Sequence, residues 1–111
     1  MTNTMLFGFQ NITPAQLSTL VPRPRVVDVR EPEEFTGELG HLPGAELVPL
    51  GTVVDAARQW SRTERIVLAC RSGARSTRAA TSLAALGFQN LMNLDGGMRA
   101  YNEAGLPVER G

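Results

Sequence analysis

The sequence predicts a single α/β domain built on an open, mostly parallel sheet. Short apolar segments typical of strands alternate with segments of helical spacing, and this alternation favours strands that are joined by helical crossovers. The chain has 111 residues, which suffice for one domain and are too few for two, and its apolar content of 42% can supply a core. We expect one domain over residues 1–111, with its core between about residues 9 and 108.

The first half of the chain contains signals for short helices and short strands. A Thr-Pro pair is typical of a helix start, because threonine caps the helix and proline fits its first turn. A β-branched run that ends in charge is typical of a buried strand. We expect, in order, a helix from Pro14 to about Leu20 capped by Thr13, a strand over Arg25–Val29, a short helix over Glu31–Phe35, a short strand within Ala45–Pro49 and a helix over Val53–Trp60.

The second half contains the segment on which the functional prediction depends. Ile66–Ala69 is a fully apolar strand of the kind that a parallel sheet buries on both faces, and it runs directly into Cys70. Ligands of open parallel sheets bind at the carboxyl ends of strands, and Cys70 lies at such an end. We further expect a helix from about Arg75 to Leu86 with Ala79, Ala80, Leu83 and Ala84 on its packing face, a strand over Leu91–Leu94, a turn at Gly96-Gly97 and a helix over Met98–Ala104.

The composition excludes several classes of function. The formal net charge is zero, so nothing in the overall balance predicts binding to nucleic acid or to a membrane. All 11 basic residues are arginine, which excludes a phosphate-loop lysine and a Schiff-base lysine. One Cys and one His cannot build a Cys/His zinc site, and we expect no metal and no cofactor. The start does not resemble a secretory signal and no apolar run approaches the ~20 residues of a membrane span, so we expect a cytoplasmic protein with a free thiol.

Cys70 is the candidate nucleophile. A thiol attacks as the thiolate, and a free cysteine with a pKa near ~8.5 is mostly protonated at neutral pH. The N–H groups at a helix start can bind sulfur or an anion, and Arg71 and Arg75 add positive charge. Cations such as Arg75 and Arg78 are unfavourable in a first helical turn unless an anion is bound there, so we interpret the loop as an anion site around a thiolate. The alternative is a buried core cysteine beside a solvated arginine face.

Several segments resemble the signatures of the single-domain rhodaneses. Cys70–Ser76, with the sequence CRSGARS, is similar to the active-site loop of that family. The other matches follow in the family's order and spacing: Asp28–Phe35 (DVREPEEF), Gly40–Ala45 (GHLPGA), Asp95–Tyr101 (DGGMRAY) and Ala104–Val108 (AGLPV). Two positions depart from the family pattern, since Tyr101 stands where tryptophan is common and Leu47 where asparagine is common.

The resemblance implies an open parallel sheet of about five strands flanked by helices, and a sulfurtransferase activity. Cys70 would attack the outer sulfur of thiosulfate or a similar small anionic donor, and sulfite would leave. An acceptor such as cyanide, a cellular thiol or a protein would then take the sulfur from the Cys70 persulfide. An arginine directly after the cysteine is typical of the thiosulfate-using branch. The residues implied in binding are Arg71, Ser72, Gly73, Ala74, Arg75 and Ser76.

The sequence allows more than one role for the residues around the loop and two alternative functions for the chain. Asp28 and Arg30 are expected at the same sheet edge as Cys70, where they orient the loop, pair with one of its arginines or form a structural ion pair with nearby glutamates. His41 is expected to fix a loop or to be exposed to solvent, and not to act as a general base. One alternative function is a carrier or regulatory module that serves a protein partner. Another is a Cys-dependent phosphatase or arsenate reductase, which the four residues between Cys70 and Arg75 disfavour because that family has five.

Overall fold

The structure is a computed structural model that describes residues 8–111 of the chain. Residues 1–7, which carry most of the expectation that the start is not a secretory signal, lie outside the described residues. No helix between residues 8 and 111 is both long and apolar enough to cross a bilayer. The elements are β1 (Phe9–Ile12), α1 (Pro14–Thr19), β2 (Arg25–Asp28), α2 (Pro32–Phe35), β3 (Glu46–Leu47), a 3-10 turn (Leu50–Thr52), α3 (Val53–Ala57), β4 (Arg65–Ala69), α4 (Ala74–Ala85), β5 (Asn90–Leu94) and α5 (Gly97–Glu103).

The five strands form one sheet in the order β1-β5-β4-β2-β3, and every pair is parallel. The predicted α/β class is therefore confirmed. The sequence pattern indicated four of these strands and missed β1. Only Phe9 and Ile12 of β1 are buried, while the two residues between them are exposed, so this edge strand shows neither an alternating pattern nor a continuous apolar run.

Most predicted helices are present with shifted ends. Thr13 caps α1 as expected, since its hydroxyl accepts a hydrogen bond from the Gln16 N–H and the Gln16 side chain accepts one from the Thr13 N–H. The helix expected over Val53–Trp60 ends at Ala57. Trp60 lies beyond it, half-buried, with its ring edge-on to that of Phe88.

Helices cover both faces of the sheet. The side chains of β4 alternate, so Ile66 and Leu68 face α3 and α4, whereas Val67 and Ala69 face α1 and α5. All four are fully buried, as expected for a central parallel strand. The expected small-residue face of α4 lies on the sheet, and its members Ala79, Ala80 and Leu83 have no exposed surface.

The carboxyl ends of the strands bring Cys70 to one edge of the sheet. Asp28, the last residue of β2, pairs with Ala69, and Asn93 near the end of β5 pairs with Leu68. The loop after Cys70 then meets the start of α5. There the N–H groups of Met98 and Arg99 donate to the carbonyl oxygens of Cys70 and Arg71 at 2.8 and 3.0 Å.

Gly97 allows this close approach of α5 to the loop. Its φ is +60°, and a Cβ atom at this position would lie 2.5 Å from the Cys70 carbonyl oxygen. We predict that Gly97→Ala lowers the free energy of unfolding by about 2–4 kcal/mol, because it adds overpacking to the strain of a left-handed residue. Gly105→Ala is the matched control, since its φ is +75° and a Cβ atom there meets open space. Equal losses for the two variants in denaturant titrations would contradict the predicted clash.

Candidate active site

Cys70 lies between β4 and α4, at the point where the chain turns from the sheet into a helix. Its side chain is 1% exposed and contacts the core cluster that lies between the sheet and α4. The loop runs from Cys70 to Gly73, and Gly73 precedes the first residue of α4. With a φ of +112°, Gly73 adopts a conformation that residues with a Cβ atom rarely reach. This turn brings the first N–H groups of α4 back towards the cysteine.

The Cys70 sulfur accepts hydrogen bonds from the loop. The Gly73 N–H donates at 3.0 Å and the Ser76 N–H at 3.4 Å, and the Ser76 hydroxyl oxygen lies 3.3 Å from Sγ. Burial alone raises the pKa of the Cys70 thiol. The hydrogen bonds from the Ser76 hydroxyl and from the N–H groups of Ser76, Gly73 and Ser72 outweigh burial, so this pKa lies below its ordinary value. The arrangement can therefore support a thiolate nucleophile.

The start of α5 holds carbonyl oxygens of the same loop, including the oxygen of the peptide group that joins Arg71 to Ser72. Because the C=O and N–H of a peptide point in opposite directions, the bond from the Arg99 N–H to the Arg71 oxygen turns the Ser72 N–H away from α5 and towards the sulfur. The side chains of Ser72 and Ala74 are exposed, so Ser72 contributes to the sulfur through its backbone. No pattern in the sequence indicates that α5 holds the loop in this way.

The two loop arginines have different surroundings. Arg71 is exposed, and its guanidinium donates no hydrogen bond to any residue of the described range. Arg75 instead donates two hydrogen bonds to Glu34 of α2, at 2.7 and 2.9 Å. These bonds hold the pKa of the Glu34 carboxyl at about 2 and raise that of Arg75. Glu34 therefore occupies the Arg75 guanidinium and leaves Arg71 exposed, and the attraction of a donor anion by the two arginines stays a prediction.

Asp28 and Arg30 form a buried ion pair with each other. Asp28 is 0% and Arg30 1% exposed, and the Arg30 guanidinium donates to both Asp28 carboxylate oxygens at 2.7 to 3.1 Å. Arg30 also donates to the Gly40 oxygen at 2.7 Å. Within residues 8–111 the two residues bond to each other and not to a loop arginine or a glutamate, and their role in orienting the loop stays a prediction. Two residues apart at a strand end, they are close enough to satisfy each other, and their pair ties β2 to the loop that contains Gly40.

His41 fixes a loop, as expected. Its ring stacks on that of Phe35 with centroids 3.6 Å apart, and its Nδ1 lies 2.8 Å from the Phe35 carbonyl oxygen. The His41 and Glu109 backbones also exchange two hydrogen bonds, which close the Gly40–Ala45 segment against the carboxyl terminus. All of these contacts are structural.

A polar chain behind Cys70 was not identified from the sequence. The Ser76 hydroxyl donates to Asn93 Oδ1 at 2.5 Å, and Asn93 Nδ2 donates to Asn11 Oδ1 at 2.9 Å. Asn93 is 3% exposed and lies among the apolar residues of β5. A polar residue within an apolar strand is the sequence signal that could have pointed to it, because a buried amide needs partners.

The chain is similar to one protein family and to several known proteins. The sequence model of the rhodanese-like domain matches residues 13–104. A thiosulfate sulfurtransferase GlpE from Pseudoalteromonas translucida is 30% identical over 99 residues, which cover 87% of this chain and 92% of that protein. A sulfurtransferase from Allochromatium vinosum is 34% identical over 83 residues, which cover 75% of this chain and 76% of that protein.

Other relatives are longer, and solved structures share the fold. A Bacillus subtilis protein provisionally named as a sulfur carrier, YrkF, is 39% identical over 76 residues, which cover 68% of this chain. The chain spans only 40% of YrkF and 45% of a Synechocystis relative. The crystal structure of a rhodanese-related protein from Thermoplasma volcanium superposes with a TM-score of 0.78 at 27% identity, over 87% of this chain and 94% of that one.

The buried ion pair yields a stability prediction. Asp28→Asn leaves the Arg30 charge without its counterion in the interior, and we expect the free energy of unfolding to fall by about 3–5 kcal/mol. The double variant Asp28→Asn, Arg30→Met removes both charges and should recover part of this loss. Denaturant titration of the two variants measures both effects. A double variant less stable than the single one would show that Arg30 stabilises the fold mainly through its bond to Gly40.

Proposed function

The chain belongs to the rhodanese-like domain family, and from this premise we propose that it is a sulfurtransferase that carries sulfur as a persulfide on Cys70. The observation that carries the proposal is the set of polar groups around one buried sulfur atom: the N–H groups of Gly73 and Ser76 donate to it, and the Ser76 hydroxyl oxygen lies 3.3 Å from it. Relatives named as sulfurtransferases that align over most of their length support the same class of reaction.

In the first half-reaction the Cys70 thiolate attacks the outer sulfur of thiosulfate. A new sulfur–sulfur bond forms at Cys70, the sulfur–sulfur bond of thiosulfate breaks, and its electron pair leaves with sulfite. In the second half-reaction a thiolate or cyanide attacks the outer sulfur of the persulfide, and the electron pair returns to Cys70 as a thiolate. Donors placed where negative charge collects on sulfur stabilise both steps. No general base is needed once Cys70 is ionised, because the thiolate is itself the nucleophile.

Arg71, the exposed arginine of the loop, is the residue that we expect to bind the sulfur donor. Arg71 directly follows the nucleophile and is exposed, whereas the Arg75 guanidinium is bonded to Glu34. Arg71 therefore attracts the thiosulfate anion, and Arg75 acts on the sulfur through its charge while it ties the loop to α2. Thiosulfate is the donor that an arginine in this position favours.

The acceptor lies outside these 111 residues. The chain has one cysteine, so no second thiol within it can take the sulfur from the persulfide. An external thiol, a protein thiol or cyanide completes the cycle, and a reducing compartment such as the cytoplasm suits this chemistry because it keeps thiols free. A carrier that hands its persulfide to one protein partner is a second function, supported by the similarity to YrkF.

Mass spectrometry of the intact protein tests the proposal. After incubation with thiosulfate, we expect the protein to gain one sulfur atom and to lose it again on addition of cyanide. Cys70→Ser is the matched control and should gain none. A wild-type protein that stays unmodified with thiosulfate and also with mercaptopyruvate would contradict the proposal.

Two arginine variants, compared by steady-state kinetics with thiosulfate and cyanide, distinguish the loss of a donor-binding charge from the loss of any arginine near the sheet. We expect Arg71→Ala to raise the KM for thiosulfate about tenfold, the effect of one lost charge-assisted contact. Arg65→Ala removes an arginine at the amino end of β4, the opposite edge of the sheet, and should leave the KM unchanged.

Fast persulfide formation followed by slow transfer to cyanide and to small thiols would favour the carrier function.

A further inference from the structure

We propose that Asn93, together with Asn11, sets the direction of the Ser76 hydroxyl relative to the Cys70 sulfur and is thereby a positioning residue. The three side chains form a chain of hydrogen bonds that reaches from the exposed edge strand β1 to the nucleophile. The link to sulfur transfer rests on the proposed function. The effect on the state of the thiol does not, and it can be measured separately.

The Ser76 hydroxyl has more possible acceptors than hydrogens. Its oxygen lies 2.5 Å from Asn93 Oδ1, 3.2 Å from the Gly73 oxygen and 3.3 Å from the Cys70 sulfur. Because a hydroxyl carries one hydrogen, the group that takes it determines what remains for the sulfur. The shortest distance is that to Asn93, so Asn93 competes with the sulfur for this hydrogen.

One orientation of the two amides suits a neutral thiol. Asn93 Nδ2 donates to Asn11 Oδ1 at 2.9 Å, which leaves Asn93 Oδ1 facing Ser76. The Ser76 hydrogen then goes to Asn93. The lone pairs of Ser76 Oγ are left to accept from the Cys70 S–H. In this state the hydroxyl stabilises the protonated cysteine.

The opposite orientation suits a thiolate or a persulfide anion. A half turn of an amide exchanges its oxygen and nitrogen with little change in shape. If Asn93 and Asn11 both turn, Asn11 Nδ2 donates to Asn93 Oδ1, and Asn93 Nδ2 donates to Ser76 Oγ. The Ser76 hydrogen is then released to the negatively charged sulfur. A hydrogen bond to a charged group is stronger than one to a neutral group, so ionisation of Cys70 favours this state.

The surroundings of both asparagines permit the exchange. Asn11 and Asn93 are directly paired residues of the neighbouring strands β1 and β5, so the register holds their side chains together. Within residues 8–111, the Asn93 side chain bonds only to Ser76 and Asn11. Asn11 is exposed and borders a surface hollow lined also by Phe9, Thr77 and Thr81. Among residues 8–111, neither amide has a further partner that fixes its direction.

Charged groups near Cys70 stay unchanged in this exchange. Arg75 is bonded to Glu34, and Asp28 to Arg30, so these four charges occur as pairs. The charged residues near the loop include Arg71, Arg75 and Arg78 of the loop and α4, Glu33 and Glu34 of α2, Asp28 and Arg30 at the end of β2, and Asp95 and Arg99 at the start of α5. None of them bonds to Ser76, Asn93 or Asn11, so a substitution at Asn11 leaves their pairing intact.

Substitution of the exposed Asn11 tests the proposal. Aspartate can only accept, so Asn11→Asp holds Asn93 in the orientation that takes the Ser76 hydrogen away from the sulfur. We expect the apparent pKa of Cys70 to rise by about one, which is a loss of thiolate of about tenfold at pH values well below that pKa. Asn11→Ala leaves Asn93 able to turn and should titrate close to the wild type. The measurements are the ultraviolet absorbance of the thiolate and the pH dependence of Cys70 alkylation.

Two controls separate the relay from simple charge and from loss of structure. Gln10→Glu adds the same charge to β1 at an exposed position on the other face of the sheet, and high salt screens a charge effect but not a hydrogen-bond effect. In an Asn93→Leu background, Asn11→Asp should have no effect beyond that of Gln10→Glu. Equal titration of Asn11→Asp and Asn11→Ala, or a shift that vanishes at high salt, would overturn the proposal.

The outcome is independent of the sulfur donor, because neither measurement uses one. If the wild-type protein takes no sulfur from any donor, the proposed function fails while the titrations still decide the role of Asn93. If sulfur uptake is normal and the Asn11 variants titrate alike, the relay alone fails.

Discussion

The Cys70 sulfur is buried and accepts hydrogen bonds from N–H groups of its loop, and the rest of the structure depends on this contact. Burial disfavours a charged sulfur, so a thiolate at this position requires donors that are already oriented. The peptide groups of the loop meet this requirement because they are held on both sides. The start of α5 takes the carbonyl oxygens of Cys70 and Arg71, and the turn at Gly73 directs N–H groups to the sulfur. Gly97 makes this contact possible, which explains why a glycine pair opens α5.

The charged residues around the loop divide into paired and exposed groups. Arg75 with Glu34 and Arg30 with Asp28 link the loop, α2 and the end of β2, and these pairs present little net charge. Backbone dipoles, and not full charges, therefore provide the direct contacts to the sulfur. Arg71 is the loop cation left to solvent, where it can meet an incoming anion. The state of the nucleophile and the capture of the donor thus depend on different residues.

The sequence contained enough information to place Cys70 at the carboxyl end of a central strand, because an apolar run followed by Cys, Gly and helical spacing defines strand, loop and helix. It also contained the small-residue face of α4. It could not show β1, because the two exposed residues in the middle of this strand leave neither an alternating pattern nor a continuous apolar run. It could not show Glu34 as the partner of Arg75 or Asn11 as the partner of Asn93 either. Both contacts join distant parts of the chain, and they depend on the strand order and the register, which local patterns do not determine.

The loop donors make Cys70 ionise more readily than a free cysteine. An ultraviolet titration of the single thiol, in the folded protein and in the protein unfolded by guanidinium chloride, tests this directly. We expect the folded protein to titrate at lower pH, because the hydrogen bonds from Gly73, Ser76 and Ser72 outweigh burial and lower the pKa of Cys70. A folded protein that titrates at the same pH as the unfolded chain, or at higher pH, would contradict this expectation.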